Sequence, residues 1–198
     1  MNENLQDLIK MLTGFPNLDL YLTGLRKNNL ITIASRPKNG RTTLAINIGA
    51  FVAEAGITVS IFNLKNEVIE TNKKLKNMYI FNDFDLDRIK KSIKLLLDKN
   101  LSLVIIDDIE LVKSNENEVW SELSKMAKEL NIPIIVTARI DTTERKDNKL
   151  YLAHLTNSIL CYSKQILLLY KEENTLILNV AKNSNGATGV IKLESMEE

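Results

Sequence analysis

Residues 30–48 read LITIASRPKNGRTTLAINI. The segment opens with an apolar, β-branched run that predicts a buried strand, and this run ends at Pro37 and Asn39-Gly40. From Thr42 onward the apolar residues recur at helical spacing. A strand, a tight turn and the start of a helix in this order predict a phosphate-binding loop, because exposed amides and the positive end of the helix dipole favour an anion.

The loop matches the pattern G-x-x-x-x-G-K-[ST] imperfectly. Ser35 stands in place of the first glycine, and Arg41 stands in place of the lysine that reaches the β- and γ-phosphates. Thr42 has the position of the hydroxyl that ligates Mg²⁺. An ordinary turn between a strand and a helix is the alternative interpretation. If the loop binds nucleotide, its binding residues are Arg36, Pro37, Lys38, Asn39, Gly40, Arg41, Thr42 and Thr43.

A candidate metal ligand, Asp107, follows the run LSLVII at residues 101–106. This run is apolar except for Ser102 and ends in three β-branched residues, which is typical of a central parallel strand buried on both faces. A carboxylate at the C-terminal end of such a strand, downstream of a phosphate loop, can hold Mg²⁺ directly or through water. The alternative is an acidic turn. Asp108 and Glu110 are further carboxylates in the same segment, but we assign only Asp107, together with Thr42, to the metal.

The composition is that of a single soluble α/β domain, with 198 residues, 44% of them hydrophobic and 26% charged. A net charge of +1 does not indicate a uniformly basic surface for nucleic acid. Cys161 and His154 are the only residues of their types, which excludes an intrachain disulfide and disfavours a metal cluster. No apolar run is long enough for a membrane span, and residues 1–4 lack the features of a signal peptide. We therefore expect a cytoplasmic protein.

The rest of the chain predicts alternating strands and helices. An amphipathic helix at residues 4–12 packs on its own domain or on a neighbouring subunit, and residues 15–17 form a turn before a short apolar segment at 18–22. The loop at 141–149 contains no apolar residue. The other expected helices lie at 42–55, 63–75, 85–97 and 116–130, and the strands at 58–62, 78–81 and 132–137, followed by a β-meander at 166–170, 175–180 and 189–193.

Two further segments carry a family resemblance, SELSKMAKELNIP at residues 121–133 and AKNSNGATG at residues 181–189. Together with the loop, they resemble the C-terminal motor domain of DnaB-type replicative helicases. The resemblance spans residues 13–193, and ASRP at 34–37 is similar to that family's own glycine-free loop. It implies a RecA-like P-loop NTPase of the α/β class, with a mostly parallel central sheet flanked by helices and a C-terminal β-meander. It also implies ATP and Mg²⁺ as ligands.

The resemblance assigns functional positions at which this chain departs from the family. The glutamate that activates the attacking water corresponds to Lys65, and the glutamine sensor corresponds to Arg139. The arginine finger, which reaches a neighbouring subunit's site, corresponds to Ser184, although its companion lysine is kept as Lys182. The loop lysine corresponds to Arg41. A cation cannot serve as the general base, so we expect impaired hydrolysis but retained nucleotide binding.

The resulting hypothesis is a DnaB-like, RecA-fold ATP-binding domain that acts in DNA replication or helicase assembly. We expect residues 1–12 to form an arm and residues 13–198 the nucleotide-binding domain. Expected partners are nucleotide, single-stranded DNA, helicase or replisome subunits and a weakly associating second copy, with no membrane. The alternatives are an active DNA helicase or translocase, a RecA-fold signalling or recombination ATPase, and an interaction domain with a vestigial site. The resemblance implies no counterpart of the family's primase-binding N-terminal domain in these 198 residues, and a condensed region between residues 76 and 101. We therefore expect either a piece of a longer protein or a stand-alone motor-like domain.

Overall fold

The computed structural model describes residues 11–65, 75–141, 148–173 and 175–193. Its centre is an eight-stranded sheet in the order β3-β2-β4-β5-β1-β6-β7-β8. The strands are β1 (Leu30–Ser35), β2 (Thr58–Asn63), β3 (Met78–Phe81), β4 (Leu101–Asp107), β5 (Ile134–Arg139), β6 (Gln165–Glu172), β7 (Thr175–Asn183) and β8 (Gly189–Leu193).

The sheet is parallel from β3 to β6, and β7 and β8 continue it as antiparallel strands. The predicted α/β class with a C-terminal β-meander is therefore confirmed. Although β1 and β2 follow one another in the chain, β4 and β5 lie between them in the sheet. The ends of β1, β4 and β5 consequently meet at one edge, and this edge is where open α/β sheets bind ligands.

Helices cover both faces of the sheet. The first face carries α1 (Pro16–Leu22) and α2 (Arg41–Glu54), and the second carries α3 (Leu86–Leu97), α4 (Glu116–Leu130) and α5 (Asn157–Tyr162). Alternate residues of one strand enter different cores, as in β4, where Ile105 belongs to the first core and Ile106 to the second. Burial on both faces explains the continuous apolar runs of these strands.

Close packing against the sheet positions α2. A Cβ atom at Gly49 would lie 2.8 Å from Cδ1 of Ile105 and 3.4 Å from Cδ1 of Ile61. A side chain at this position would therefore require Ile105 or the helix itself to shift within a closely packed core. The absence of a side chain on Gly49 lets α2 lie directly on β2 and β4, and its first turn is consequently held at the end of β1.

Several boundaries differ from the prediction. Pro16 begins α1 where we predicted a turn, because proline suits the first position of a helix and needs no hydrogen bond there. β2 extends through Asn63, where we predicted the start of a helix. The strand expected from residue 132 begins at Ile134, after Pro133. The short helix α5 was not predicted, since six residues are too few to show a clear period.

Three predicted segments lie mainly outside the described residues. They are the helix at 4–12, most of the helix at 63–75, and most of the loop at 141–149. Within the part of the chain that the structure describes, no helix has the length and apolar character needed to cross a membrane.

The second core offers a direct test of the packing. Leu123 of α4 is fully buried there, so Leu123→Ala should lower the free energy of unfolding by about 2–5 kcal/mol, through lost burial and the cavity left behind. The measurement is urea unfolding followed by the fluorescence of Trp120, the only tryptophan of the chain. Leu95→Ala is the control, because Leu95 is 67% exposed on α3. Equal effects of the two substitutions would contradict this packing.

Candidate functional site

The turn between β1 and α2 leaves a helix start without a side-chain cap. Lys38 and Gly40 have φ angles of 64° and 87°, and Gly40 is the N-cap residue of α2. The N-caps of α3 and α4 behave differently, because the side chains of Asp85 and Asn115 accept bonds from the first-turn amides. In α2 those amides, together with the positive end of the helix dipole, are suited to an anion.

Thr42 and Asp107 lie together at this edge, although 65 positions separate them in the chain. The Thr42 hydroxyl donates to the Asp107 carboxylate, with Oγ1 2.9 Å from Oδ1 and 3.1 Å from Oδ2. Thr137 of β5 donates to the same carboxylate, with 2.6 Å between Oγ1 and Oδ1. The Asp107 carboxylate is thus held by hydroxyl groups from two elements while it is 1% exposed.

The donor chemistry of this pair fits Mg²⁺. A hydroxyl and a carboxylate supply the hard oxygen atoms that this ion prefers, and Mg²⁺ bound with a nucleotide takes its remaining ligands from phosphates and water. Among the described residues no group of three or more His, Cys, Asp or Glu side chains could hold a metal alone. Thr42 and Asp107 therefore suit an ion that arrives with phosphate.

Arg41 has a position that the loop motif did not predict. Its guanidinium donates to the Asp108 carboxylate from Nε, 3.0 Å from Oδ1, and from Nη2 to the same oxygen. The Arg41 side chain is only 7% exposed and that of Asp108 only 4%. The cation at the position of the loop lysine is therefore paired with a buried carboxylate.

Lys65 pairs with the other oxygen of the same carboxylate, through a salt bridge from Nζ to Oδ2 of Asp108. Its side chain is 33% exposed, so it is much more accessible than that of Arg41. We call Arg41, Asp108 and Lys65 the Asp108 triad. Two departures from the family pattern, which are 24 positions apart in the sequence, meet at this one carboxylate.

Asp108 and Thr137 also belong to this site, although the sequence alone did not assign either residue to it. Asp108 has a left-handed backbone, with φ 58°, and its amide donates to Oγ1 of Thr137 over 2.7 Å. Thr137 therefore links the backbone of Asp108 to the carboxylate of Asp107. The sequence contained one indication of the role of Asp108. It is a second acidic residue directly after the strand, in a chain with unexpected cations at Arg41 and Lys65. No sequence pattern pointed to Thr137. It reaches Asp107 only because β5 lies beside β4 in the sheet, and the sequence does not specify that order.

Arg139 lies at the same edge, opposite Ser35 in the pairing of β5 with β1. Its backbone amide donates to Oε1 of Glu110 over 2.5 Å, and its Nε donates to Oδ1 of Asp141 over 2.6 Å. Partial desolvation raises the pKa of Glu110 above its ordinary value, and the bond from the Arg139 amide only partly offsets this effect.

Lys182 and Ser184 lie at the opposite edge of the sheet. Gln165, which starts β6, pairs with Asn183 on one side and with Ile31 near the start of β1 on the other. The length of β1, about 20 Å, therefore separates these residues from the loop of their own chain. Nζ of Lys182 donates to the carbonyl of Leu160 over 2.6 Å, and burial together with nearby Lys164 lowers the pKa of Lys182.

A cleft of about 370 Å³ adjoins the loop on the face that carries α2. Lys38, Asn39 and Gly40 form its polar side, and Phe15, Leu176 and Leu193 contribute apolar surface. Its volume is in the range of small-ligand sites. Such sites also combine apolar surface with a few polar groups, as this cleft does.

Comparison with known proteins places these observations in a family. Residues 10–79 and 66–198 match the family described as DnaB-like helicase C terminal domain. The replicative DNA helicase DnaB of Mycoplasma genitalium is 27% identical over 249 aligned positions, which cover 91% of this chain and 53% of the relative. The DNA repair protein RadA of Aquifex aeolicus is 24% identical over 204 positions, covering 94% and 44%.

The solved structure described as the ATPase domain of G40P has the same fold. It superposes with a TM-score of 0.81 at 19% identity, over 94% of this chain and 88% of that one. The chain spans about half the length of the curated relatives that it matches first. The alignment with the Mycoplasma protein is longer than the 198 residues of this chain, so that relative contains segments that are missing here. Their expected position within residues 76–101 stays a prediction.

The Asp108 triad predicts a stability difference between its members. Asp108→Asn should lower the free energy of unfolding by about 3–5 kcal/mol, because it leaves the buried Arg41 without an anion. Lys65→Met should change it by at most about 1 kcal/mol, since Lys65 is partly solvated. Urea unfolding measures both, with Lys125→Met at an exposed pair on α4 as the control. A loss below about 1 kcal/mol in Asp108→Asn would show that the triad is not the buried link described here.

Proposed function

Because the chain belongs to the family of DnaB-like helicase C-terminal domains, we propose that it binds Mg²⁺-ATP at residues 36–43 and acts in a replicative helicase assembly with impaired hydrolysis. The observation that carries the proposal is the Thr42–Asp107 hydrogen bond at the uncapped start of α2. A metal-binding pair and an anion-binding helix start at one sheet edge suit a nucleotide with its metal.

Thr42 and Asp107 would hold the ion, and Mg²⁺ would neutralise charge on the phosphates and orient them. The amides of the loop and of the first turn of α2 would bind phosphate oxygens. The neighbouring cleft offers room for the remainder of the nucleotide. Arg36, Lys38 and Thr43 complete the loop surface. We propose residues 36–43 as the nucleotide-binding segment, in which Arg41 contributes its backbone amide while its guanidinium stays paired with Asp108.

Impaired hydrolysis is proposed from the Asp108 triad and from Ser184. A protonated lysine cannot accept a proton from the attacking water, so Lys65 cannot act as the base at that position. Asp108 is a poor substitute, because two cations stabilise its ionised form. Ser184 carries no charge that could stabilise the transition state in a neighbouring subunit.

Assembly is proposed from the distance between the two sheet edges. Lys182 and Ser184 are too far from the loop of their own chain to contribute to it, so any contribution must be to another subunit. Without an arginine at position 184 the contact across the interface is weaker, and we propose weak self-association that helicase or replisome subunits strengthen. Single-stranded DNA is a further proposed partner.

Nucleotide binding is tested by thermal unfolding with and without Mg²⁺-ATP. At one hundred times the dissociation constant, binding adds about 2.7 kcal/mol, which corresponds to a rise in Tm of roughly 5–10 °C for a domain of this size. Thr42→Val and Asp107→Asn should remove most of the Mg²⁺-dependent part of the rise. Thr188→Val, an exposed hydroxyl before β8, should retain it. No rise in Tm and no heat of binding in the unaltered chain would favour the interaction domain with a vestigial site.

Restoring hydrolysis should require a change at Asp108. Lys65→Glu, Arg41→Lys and Ser184→Arg supply the family's residues, but the new glutamate would face the Asp108 carboxylate and repel it. We therefore expect this triple variant to remain slow. Adding Asp108→Asn should raise steady-state ATP turnover by more than the separate effects combined, because these groups act in one transition state.

Light scattering must accompany this assay, because Ser184→Arg can act only across an interface. The unaltered chain is the reference. If it already hydrolyses ATP at about 1 s⁻¹ or faster, the proposal of impaired hydrolysis is wrong and an active motor replaces it.

A further inference from the structure

The two cations of the Asp108 triad differ in what they can still bind. Arg41 directs Nε and Nη2 to one oxygen of the carboxylate and is almost completely buried. Because Arg41 is itself buried, withdrawing its guanidinium would break two hydrogen bonds to the carboxylate and leave a buried cation unpaired, which is strongly unfavourable. Arg41 is therefore a fixed structural cation, although it stands where the loop motif places a phosphate ligand.

Lys65 is the accessible cation of the triad. Its ammonium has three donor hydrogens, and the salt bridge to Oδ2 of Asp108 leaves capacity for an anion. One third of its side chain is exposed. The triad contains two positive charges and one negative charge, so it keeps a net positive charge whose solvent-facing part is Lys65.

Lys65 lies close to where the terminal phosphate of a nucleotide would bind. Asn63, at the end of β2, pairs with Asp107 of β4, and Lys65 follows two residues later. Its partner Asp108 directly follows Asp107, whose carboxylate binds Thr42. The loop amides would bind phosphate oxygens at the start of α2, and Thr42 with Asp107 would hold the metal that neutralises the phosphate charge. A terminal phosphate bound by that metal would then be close to Asp107, and so to the neighbouring Asp108 triad.

We infer that Lys65, held in place by Asp108, is a specificity residue that binds the terminal phosphate and makes the site select nucleoside triphosphate over diphosphate. This inference rests on the proposed nucleotide site. A cation at this position adds affinity for the phosphate that only the triphosphate carries, and it cannot promote loss of that phosphate as a base. The site would then hold ATP without using Lys65 to hydrolyse it.

Isothermal titration calorimetry tests the inference with Mg²⁺-ADP and with the Mg²⁺ complex of a β,γ-methylene analogue of ATP, which is not hydrolysed. The unaltered chain should bind the triphosphate analogue more tightly. Lys65→Met should weaken binding of the analogue about tenfold or more and that of ADP by less than about twofold. Lys65→Arg keeps the charge and should retain most of the preference.

Lys125→Met on α4 is the matched control and should alter neither affinity. Thermal unfolding without nucleotide checks that Lys65→Met remains folded. If Lys65→Met weakens both nucleotides equally, or neither, Lys65 is a structural member of the triad and the inference is wrong. If the unaltered chain binds neither nucleotide, the proposed function fails as well, so the two failures are distinguishable.

Discussion

The burial of the central strands on both faces is the constraint on which this structure depends. β1 is buried at every residue, and β4 and β5 are buried over nearly their full lengths. Strands of this kind cannot hold charged side chains along their length unless these are paired, so functional groups are confined to the strand ends. The parallel arrangement then brings Ser35, Asp107 and Arg139 to a single edge. The site is a consequence of how the core is built.

The Asp108 triad gives a physical meaning to departures that look unrelated in the sequence. Arg41 and Lys65 each replace a residue expected from the family. Both are cations, so their side chains would repel each other at this distance if no anion lay between them. Asp108 removes that repulsion by accepting one cation on each carboxylate oxygen. The substituted residues are mutually consistent, and reverting Lys65 alone to glutamate would place a second carboxylate beside Asp108. The buried Arg41–Asp108 pair is the part of this network that cannot lose a member without leaving an unpaired buried charge.

The two edges of the sheet have different chemistry. The edge that contains the loop collects the amides of α2, Thr42, Asp107 and the triad. The opposite edge contains Lys182 and Ser184, which the length of β1 separates from that loop. This separation is compatible with a family whose neighbouring subunits complete each other's sites, as the sequence resemblance implies. Ser184 is therefore too far from the loop to act on the nucleotide site of its own chain.

The fold class and most of its helices and strands could be predicted from local sequence patterns. Apolar β-branched runs, helical periods and turn residues predicted β1, α2, β4 and α4 within a few positions, because these signals are local. Boundaries failed where one residue could start or extend an element, as at Pro16 and Asn63. The sequence also indicated that Thr42 and Asp107 belong to one site, because a hydroxyl of a phosphate loop and a carboxylate after a buried strand can ligate the same Mg²⁺.

The order of the strands in the sheet, and hence which side chains of the site are neighbours, became known only from the tertiary structure. The sheet order places β4 and β5 between β1 and β2, and no local pattern specifies that order, because it results from packing over the whole chain. This order brings Thr137 to Asp107 and carries Lys65 to Asp108. It also places Arg41 beside Asp108, whose buried carboxylate accepts two hydrogen bonds from the guanidinium. The functional residue types could be recognised from the sequence. Their hydrogen-bond and ion-pair partners could not, because those depend on contacts between distant parts of the chain.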